Sequence, residues 1–147
     1  MRGKEHRFSG GTAAEATGWA KQSGMASGPM DMTVTFEAGR QGNAGVKLFV
    51  GEKEETVVSI DRDKGLAVIE RTRSGSPRFS PKFGDFATAP LADPTGKVTL
   101  RILVDQCSVE VLVNGGTECI TALVLPSDAS RGLEFFGPAN FRSIAAV

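Results

Sequence analysis

Short runs that alternate apolar and polar residues dominate the chain from Met30 onward. In the run MDMTVTFEA, Met32, Val34 and Phe36 alternate with threonines and a glutamate. Because successive side chains of a strand point to opposite faces, this period of two predicts a strand with one buried face. More runs of strand length follow, separated by turn residues: GVKLFVG, ETVVSID, LAVIERT, KVTLRILVD, SVEVLVN, ECITALVL and LEFFGPANFRSIAAV.

The spacing of these runs indicates the fold class. None of them shows a capped apolar stripe of helical period, so we expect no substantial helix. Eight or so antiparallel strands at this spacing predict an all-β fold, a two-sheet antiparallel β-sandwich of the concanavalin or lectin-like jelly-roll type. An open barrel is the structural alternative.

The N-terminal segment differs from the rest in composition. At 147 residues the chain has the length of one domain. Its first part is rich in Gly, Ala, Ser and Thr, with Phe8 and Trp19 as the large apolar residues. Such a composition buries little apolar surface. We therefore expect residues 1–29 to be a linker, a cloning remnant or one poorly formed edge strand, and residues 30–147 to form the sandwich.

The balance of charges and the hydropathy of the chain limit the kinds of partner and the location that the sequence predicts. The 17 Lys and Arg residues balance 17 Asp and Glu residues. Without a net field we expect no nucleic acid and no membrane as partner, and a neutral partner is favoured. No apolar block of the kind found in secretory signals opens the sequence, which predicts either a cytoplasmic protein or a piece of a longer one.

The segment LRILVDQCSVEVLVNGGTECITALVLP predicts a β-hairpin. If Asn114-Gly115 is a two-residue turn, Val109 lies opposite Ile120, whereas a three-residue NGG loop would shift the pairing by one. In the first register Cys107 and Cys119 point to opposite faces of the sheet. Since a disulfide needs both Cβ atoms on one side, we predict two free thiols.

The segment SIDRDKGLAVIERTRSG is followed later in the chain by LRILVDQCSVEVLVNGG. These two motifs, in this order, resemble the C-terminal β-sandwich module of glycoside hydrolase family 32, the β-fructosidases that include invertases, levanases and inulinases. Glu70, where the family pattern has Asp, and Cys107, where it has Ser, are mild departures. The matching positions are Asp61, Arg62, Gly65, Arg71, Thr72, Ser74, Gly75, Asp105, Ser108, Val109, Glu110, Val111, Asn114 and Gly116.

The resemblance also implies where catalysis would lie. Family members carry it on a separate N-terminal five-bladed propeller, with an Asp nucleophile and an acid/base Glu. Retaining hydrolysis needs two carboxyl groups about 5–5.5 Å apart, and no motif here would assemble them. Glu118-Cys119 imitates the acid/base signature inside a predicted strand, and Arg62-Asp63-Lys64 lies in a predicted hairpin turn. We therefore expect no enzyme activity of this chain by itself.

Candidate binding residues lie around one hairpin and in the long loop after it. Charged groups beside the hairpin could bind sugar hydroxyls, although a cross-strand ion-pair ladder or a docking contact is the more ordinary interpretation. Loop phenylalanines could supply an aromatic platform, or simply plug one end of the sandwich. The candidates are Asp61, Arg62, Arg71, Arg73, Phe79 and Phe83, with Phe86 as a further aromatic.

Two function classes remain. With His6 as the one histidine, we predict no metal and no cofactor. The first class is a non-catalytic accessory module that docks on a catalytic propeller or contributes oligomer contacts through self-association. The second is a free-standing, lectin-like binder of fructan or another neutral glycan. A shallow cleft with converging Arg, acidic and aromatic groups would favour the binder, and a flat apolar patch would favour docking.

Overall fold

The computed structural model describes residues 4–38, 42–73, 86–93 and 96–147. Within these ranges the chain forms one helix and eleven strands. The elements are β1 (His6–Phe8), α1 (Ala13–Gln22), β2 (Met30–Ala38), β3 (Asn43–Val50), β4 (Glu55–Asp61), β5 (Leu66–Arg73), β6 (Phe86–Pro90), β7 (Lys97–Val104), β8 (Ser108–Val113), β9 (Glu118–Leu123), β10 (Gly132–Phe136) and β11 (Ala139–Ala146).

The strands form two antiparallel sheets that pack face to face. The six-stranded sheet has the order β1-β11-β2-β7-β8-β9, and the five-stranded sheet has the order β10-β3-β4-β5-β6. The predicted β-sandwich is thereby confirmed, and the sheets do not close into a barrel.

Alternation along the strands builds the core between the sheets. On β7, Leu100, Ile102 and Val104 are buried and the residues between them face outward. The rings of Phe36 and Phe141 lie 5.5 Å apart at the centre of the six-stranded sheet. Every second position of a strand therefore lies on an outer face of the sandwich.

The expectation of no substantial helix is wrong. Thr12 caps α1, because its hydroxyl accepts a hydrogen bond from the backbone N–H of Glu15, whose carboxylate accepts from the Thr12 N–H. The buried face of α1 consists of Ala16 and Ala20, so it lacks the large apolar stripe that would have marked it. Alanine has the highest helix propensity, and this short run forms a helix once it packs on the sandwich.

The described part of the N-terminal segment is integrated into the fold. β1 pairs with β11 as an edge strand, and the Phe8 ring lies 5.4 Å from the Trp19 ring of α1. The Thr17 hydroxyl accepts a hydrogen bond from the Phe135 N–H at 2.9 Å and donates to the Phe135 carbonyl at 3.2 Å. α1 thus covers β10, an edge of the five-stranded sheet. The boundary between residues 29 and 30 stays a prediction. In the described ranges no helix has the length and apolar character needed to cross a bilayer.

The hairpin register differs from both predicted registers. Val109 pairs with Ala122, and Ile120 pairs with Val111, because four residues connect β8 to β9. Asn114 takes a φ of 46°, and its side-chain oxygen accepts a hydrogen bond from the Thr99 N–H of β7 at 2.9 Å. A shift of two residues leaves every side chain on its predicted face.

The two cysteines lie in different places, Cys107 in the turn before β8 and Cys119 on β9. Cys107 and Cys119 are both exposed and free, as the sequence predicted.

Candidate functional site

A groove of about 300 Å³ lies on the outer face of the five-stranded sheet. Strands β3, β4 and β5 form its base, and Phe136 at the end of β10 forms one wall with its ring. Its polar lining consists of Asn43, Lys47, Glu55, Ser59, Glu70 and Arg73. These residues occupy outward positions of the strands, and among them Ser59 is buried, with 6% of its surface exposed.

A cross-strand ion-pair ladder holds one end of the groove. Lys47 Nζ lies 3.4 Å from one Glu55 carboxylate oxygen, and Arg73 Nη1 lies 3.3 Å from the other. Glu55 on β4 therefore joins β3 to β5, which is the ladder that the sequence offered as the ordinary interpretation for Arg73. The Glu55 side chain is 21% exposed. Its carboxylate is paired with Lys47 on one side and with Arg73 on the other, and these two contacts hold it in place.

Gly45, which has no side chain, lies between Phe136 and Ser59 in the five-stranded sheet. Phe136 pairs with Gly45, and Gly45 pairs with Ser59 on the next strand. A Cβ atom at Gly45 would lie 2.6 Å from Ser59 Cα, so a larger residue does not fit there. Lys47 Nζ lies 5.7 Å from the centroid of the Phe136 ring, within the range of a cation–π contact.

Among the described lining residues, the charges of the groove cancel. Lys47 and Arg73 balance Glu55 and Glu70, and Asn43 and Ser59 add neutral polar groups. Hydroxyl groups of a ligand can donate to the carboxylates and accept from the cations. The arrangement is therefore suited to a neutral molecule with many hydroxyl groups and one apolar face.

The structure separates the four charged candidates of the sequence. Asp61 accepts a hydrogen bond from the Lys64 N–H at 3.0 Å and so stabilises the turn between β4 and β5. Arg62 and Arg71 are 6% and 8% exposed. Burial lowers the pKa of the Arg62 guanidinium below its usual range. Arg73 is the one of these four that lines the groove.

A bulge explains why Arg73 faces outward while Arg71 is buried. The pairing of β4 with β5 shifts between Glu55 and Val57, so that Glu55 pairs with Arg73 and Val57 with Glu70. The extra residue on β5 places Arg73 beside Glu55 on the outer face.

Of the three aromatic candidates, the structure describes Phe86. Phe79 and Phe83 lie outside the described residues. Phe86 begins β6 and is 59% exposed, and it does not line the groove.

Lys47, Glu55 and Phe136 were not among the predicted site residues. A signal was present for Lys47, since it lies between Val46 and Leu48 in an alternating strand and must face outward. Glu55 follows another glutamate at the start of its strand and carried no such signal. Phe136 carried no such signal, because only the pairing of β10 with β3 places its ring beside Gly45.

Several family-motif positions serve turns. Gly65 takes a φ of 66° in the turn before β5, and Asp105 receives a hydrogen bond from the Gln106 N–H at 2.7 Å in the turn before β8. Asn114 likewise fixes the turn after β8. Glu118 and Cys119 lie on β9, as the sequence predicted. No cluster of potential metal ligands occurs among the described residues.

A second feature lies at the sandwich edge opposite α1. The edge strands β6 and β9 contact each other there. Large apolar side chains on and beside these strands are open to solvent: Phe86 is 59% exposed, Leu123 50% and Leu125 42%.

Comparisons with known proteins agree with the motif resemblance. The family model described as "Glycosyl hydrolases family 32 C terminal" matches residues 2–146. A levanase of Bacillus subtilis (strain 168) is 43% identical over 93 residues, which cover 63% of this chain and 14% of the levanase. This chain therefore spans a small part of that relative.

Solved structures share the fold. The exo-inulinase of Aspergillus awamori matches with a TM-score of 0.70 and 24% identity, over 97% of this chain and 28% of the inulinase chain. The galectin LEC-6 of Caenorhabditis elegans matches with a TM-score of 0.61 and 13% identity, over 82% of this chain and 84% of the galectin chain. At these identities the likeness concerns the β-sandwich alone.

Proposed function

This chain belongs to the C-terminal domain family of the family 32 glycosyl hydrolases, and from that premise we propose that it is a non-catalytic accessory module that binds a neutral glycan. The observation that carries the proposal is the groove on the five-stranded sheet, where Arg73, Glu55 and the Phe136 ring converge. A cleft of this composition is the feature that favours the binder over docking.

The geometry of the groove supports a sugar as its ligand. Phe136 offers an apolar surface against which the C–H face of a sugar ring can pack. The Glu55 carboxylate and the Arg73 guanidinium can together engage neighbouring hydroxyl groups, with the ladder holding both in position. Because these groups are already paired in the free protein, little side-chain entropy is lost when the ligand binds.

The names of the relatives suggest which glycan to test. The levanase and the exo-inulinase are named for levan and inulin. A terminal or internal fructosyl unit of such a polymer is neutral and rich in hydroxyl groups, which fits the balanced charges of the groove. We therefore propose fructan as the ligand.

The proposal assigns no chemistry to the groove. Glu55 is bound by two cations, and the Glu70 carboxylate accepts a hydrogen bond from the Thr72 hydroxyl at 3.2 Å. A general acid must release a proton to the leaving group, and a carboxylate whose two oxygens are paired with Lys47 and Arg73 is poorly placed for that task. Binding without turnover is the activity that we expect.

Isothermal titration calorimetry tests this proposal. Levan, inulin and a short fructo-oligosaccharide are titrated into the wild-type chain and into Arg73→Gln, and sucrose hydrolysis is assayed on the same samples. The matched control is Arg101→Gln, because Arg101 is also exposed and ion-paired, with Asp31 at 2.7 Å, but lies on the other sheet.

The expected result is saturable heat for the wild type and for Arg101→Gln, roughly tenfold weaker binding by Arg73→Gln, and no hydrolysis. Equal affinities of the two variants would overturn the assignment of the groove. Sucrose turnover by the wild type would overturn the non-catalytic role.

The exposed residues at the β6–β9 edge favour a second candidate function, docking on a catalytic domain. In the levanase and the exo-inulinase most of the polypeptide lies outside the part that matches this chain. Burial of the Leu123 and Phe86 side chains against such a domain would remove apolar surface from water. The test is to titrate this chain with the part of the Bacillus subtilis levanase that lies outside the match. Binding that Leu123→Ser weakens would support docking, and no binding would contradict it.

A further inference from the structure

A second cavity, of about 430 Å³, lies at one end of the sandwich and is separate from the groove. Loops form most of it, with Phe49 of β3 as the strand residue, and none of its described lining residues lines the groove. We propose that this end pocket is an independent site for a small neutral polyol of mono- or disaccharide size.

Size and composition define the class of ligand. Pockets that bind small molecules measure roughly 300–1,000 Å³. The end pocket combines Gln106, Asp128 and Arg131 with the hydroxyl group of Ser127 and the apolar surfaces of Pro29 and Pro126. Among its described lining residues one carboxylate, of Asp128, balances one guanidinium, of Arg131, so a neutral ligand is favoured. Since both donors and acceptors are present, a ligand with several hydroxyl groups can satisfy them.

Buried hydroxyl groups hold the walls of the pocket in place. Ser27 is 3% exposed, and its hydroxyl donates to the Gly132 carbonyl at 2.8 Å and accepts from the Phe49 N–H at 2.8 Å. The Ser27 N–H also donates to the Arg131 carbonyl at 2.8 Å. These bonds join the loop before β2 to the start of β10, so the pocket exists before any ligand arrives.

The backbone at the base of the pocket is strained. Phe49 has a φ of 51° and is buried, at a bulge where the pairing of β3 with β10 shifts between Gly132 and Glu134. A bulky residue at positive φ is an uncommon and costly conformation, and such residues concentrate at ligand sites. The bulge and the Ser27 hydroxyl maintain it, and the result is that Phe49 lines the cavity.

Cys107 gives a direct readout, since it lines the end pocket and is exposed. In a Cys119→Ser background it is the only thiol of the chain. The rate of Cys107 alkylation by iodoacetamide is measured against increasing D-fructose and, separately, sucrose. The same titrations are followed by amide chemical shifts of the ¹⁵N-labelled protein.

The expected result is saturable protection of Cys107, with saturable shifts of the Gln106 and Ser127 amides. Arg131→Gln and Asp128→Asn should each weaken the binding roughly tenfold, and the groove variant Arg73→Gln should leave it unchanged. Both pocket residues are exposed, so neither variant should disturb folding.

Two results would overturn the proposal. The first is the absence of both protection and amide shifts up to high ligand concentration. The second is protection that Arg131→Gln and Asp128→Asn leave intact. Because Arg73→Gln and Arg131→Gln act on different sites, failure of the end pocket and failure of the groove are distinguishable.

Discussion

Gly45 on β3 lies so close to Ser59 on β4 that a Cβ atom at Gly45 would come within 2.6 Å of the Ser59 Cα atom. The two residues pair directly in the sheet, on the face that carries the groove. The absence of a side chain at Gly45 thus permits the close approach of β3 to β4 beside the groove.

Replacing this glycine should destabilise the protein. In Gly45→Ala the methyl group meets backbone atoms of β4, which cannot move as a flexible side chain would. We expect a loss of about 1–3 kcal/mol in the free energy of unfolding, measured by urea denaturation.

Gly18 provides the matched control for Gly45. It lies inside α1, and a Cβ atom there would meet nothing within 4 Å. Gly18→Ala should therefore stabilise the protein by about 0.5–1 kcal/mol through helix propensity. Equal effects of the two substitutions would contradict the packing argument.

The buried hydroxyl of Thr56 predicts a stabilising substitution. Thr56 is fully buried on β4, and its Oγ1 atom makes no hydrogen bond within the described structure. Thr56→Val removes this polar atom at nearly constant volume, and we expect a gain of about 1 kcal/mol in the free energy of unfolding. Ser27→Ala is the counterpart, because it deletes a buried hydroxyl that makes two hydrogen bonds, and it should cost about 1–3 kcal/mol. A loss of stability in Thr56→Val would refute this prediction.

Thr17 should anchor α1 to the sandwich. Thr17→Val removes the hydroxyl that both accepts from and donates to the Phe135 backbone, and leaves those groups without a partner. We expect a loss of about 1–3 kcal/mol and faster hydrogen exchange of the Phe135 amide. Thr88→Val, on the exposed face of β6, makes the same chemical change and should alter stability by less than about 0.5 kcal/mol. An unchanged Phe135 exchange rate in Thr17→Val would rule out the anchor.

The reactivity of Cys119 should depend on Glu110. The Cys119 thiol donates a hydrogen bond to the Glu110 carboxylate at 3.3 Å, and this bond raises the pKa of the thiol. A raised pKa means less thiolate at a given pH, and the thiolate is the reactive form. In a Cys107→Ser background, Glu110→Gln should therefore shift the pH profile of iodoacetamide alkylation to lower pH. A profile that stays in place would show that Glu110 does not control this thiol.

Strand alternation made most of the fold predictable. The buried positions of β7 and β8 follow directly from their sequence pattern, and a shift of two residues at Asn114 left the faces of that hairpin unchanged. The length of the turn was not predictable from the Asn-Gly pair, because the contact of Asn114 with Thr99 on β7 depends on a third strand.

The helix α1 and the groove are the two features that the apolar periodicity of the sequence did not predict. The capping box of Thr12 and Glu15 was readable, but an apolar face made of alanines gives a weak periodic signal. Arg73 was identified as a candidate, whereas Lys47 and the Phe136 ring, which line the same groove, come from strands β3 and β10. Their proximity depends on sheet order, which a single sequence does not encode locally.

The most direct test of the glycan-binding groove is an amide chemical-shift map of the ¹⁵N-labelled protein titrated with a short fructo-oligosaccharide. We predict saturable shifts at Lys47, Val57, Ser59 and Phe136, with no comparable shifts at Thr33 and Thr99 on the outer face of the six-stranded sheet. Saturable shifts confined to the six-stranded sheet, or none at all, would contradict the proposed groove.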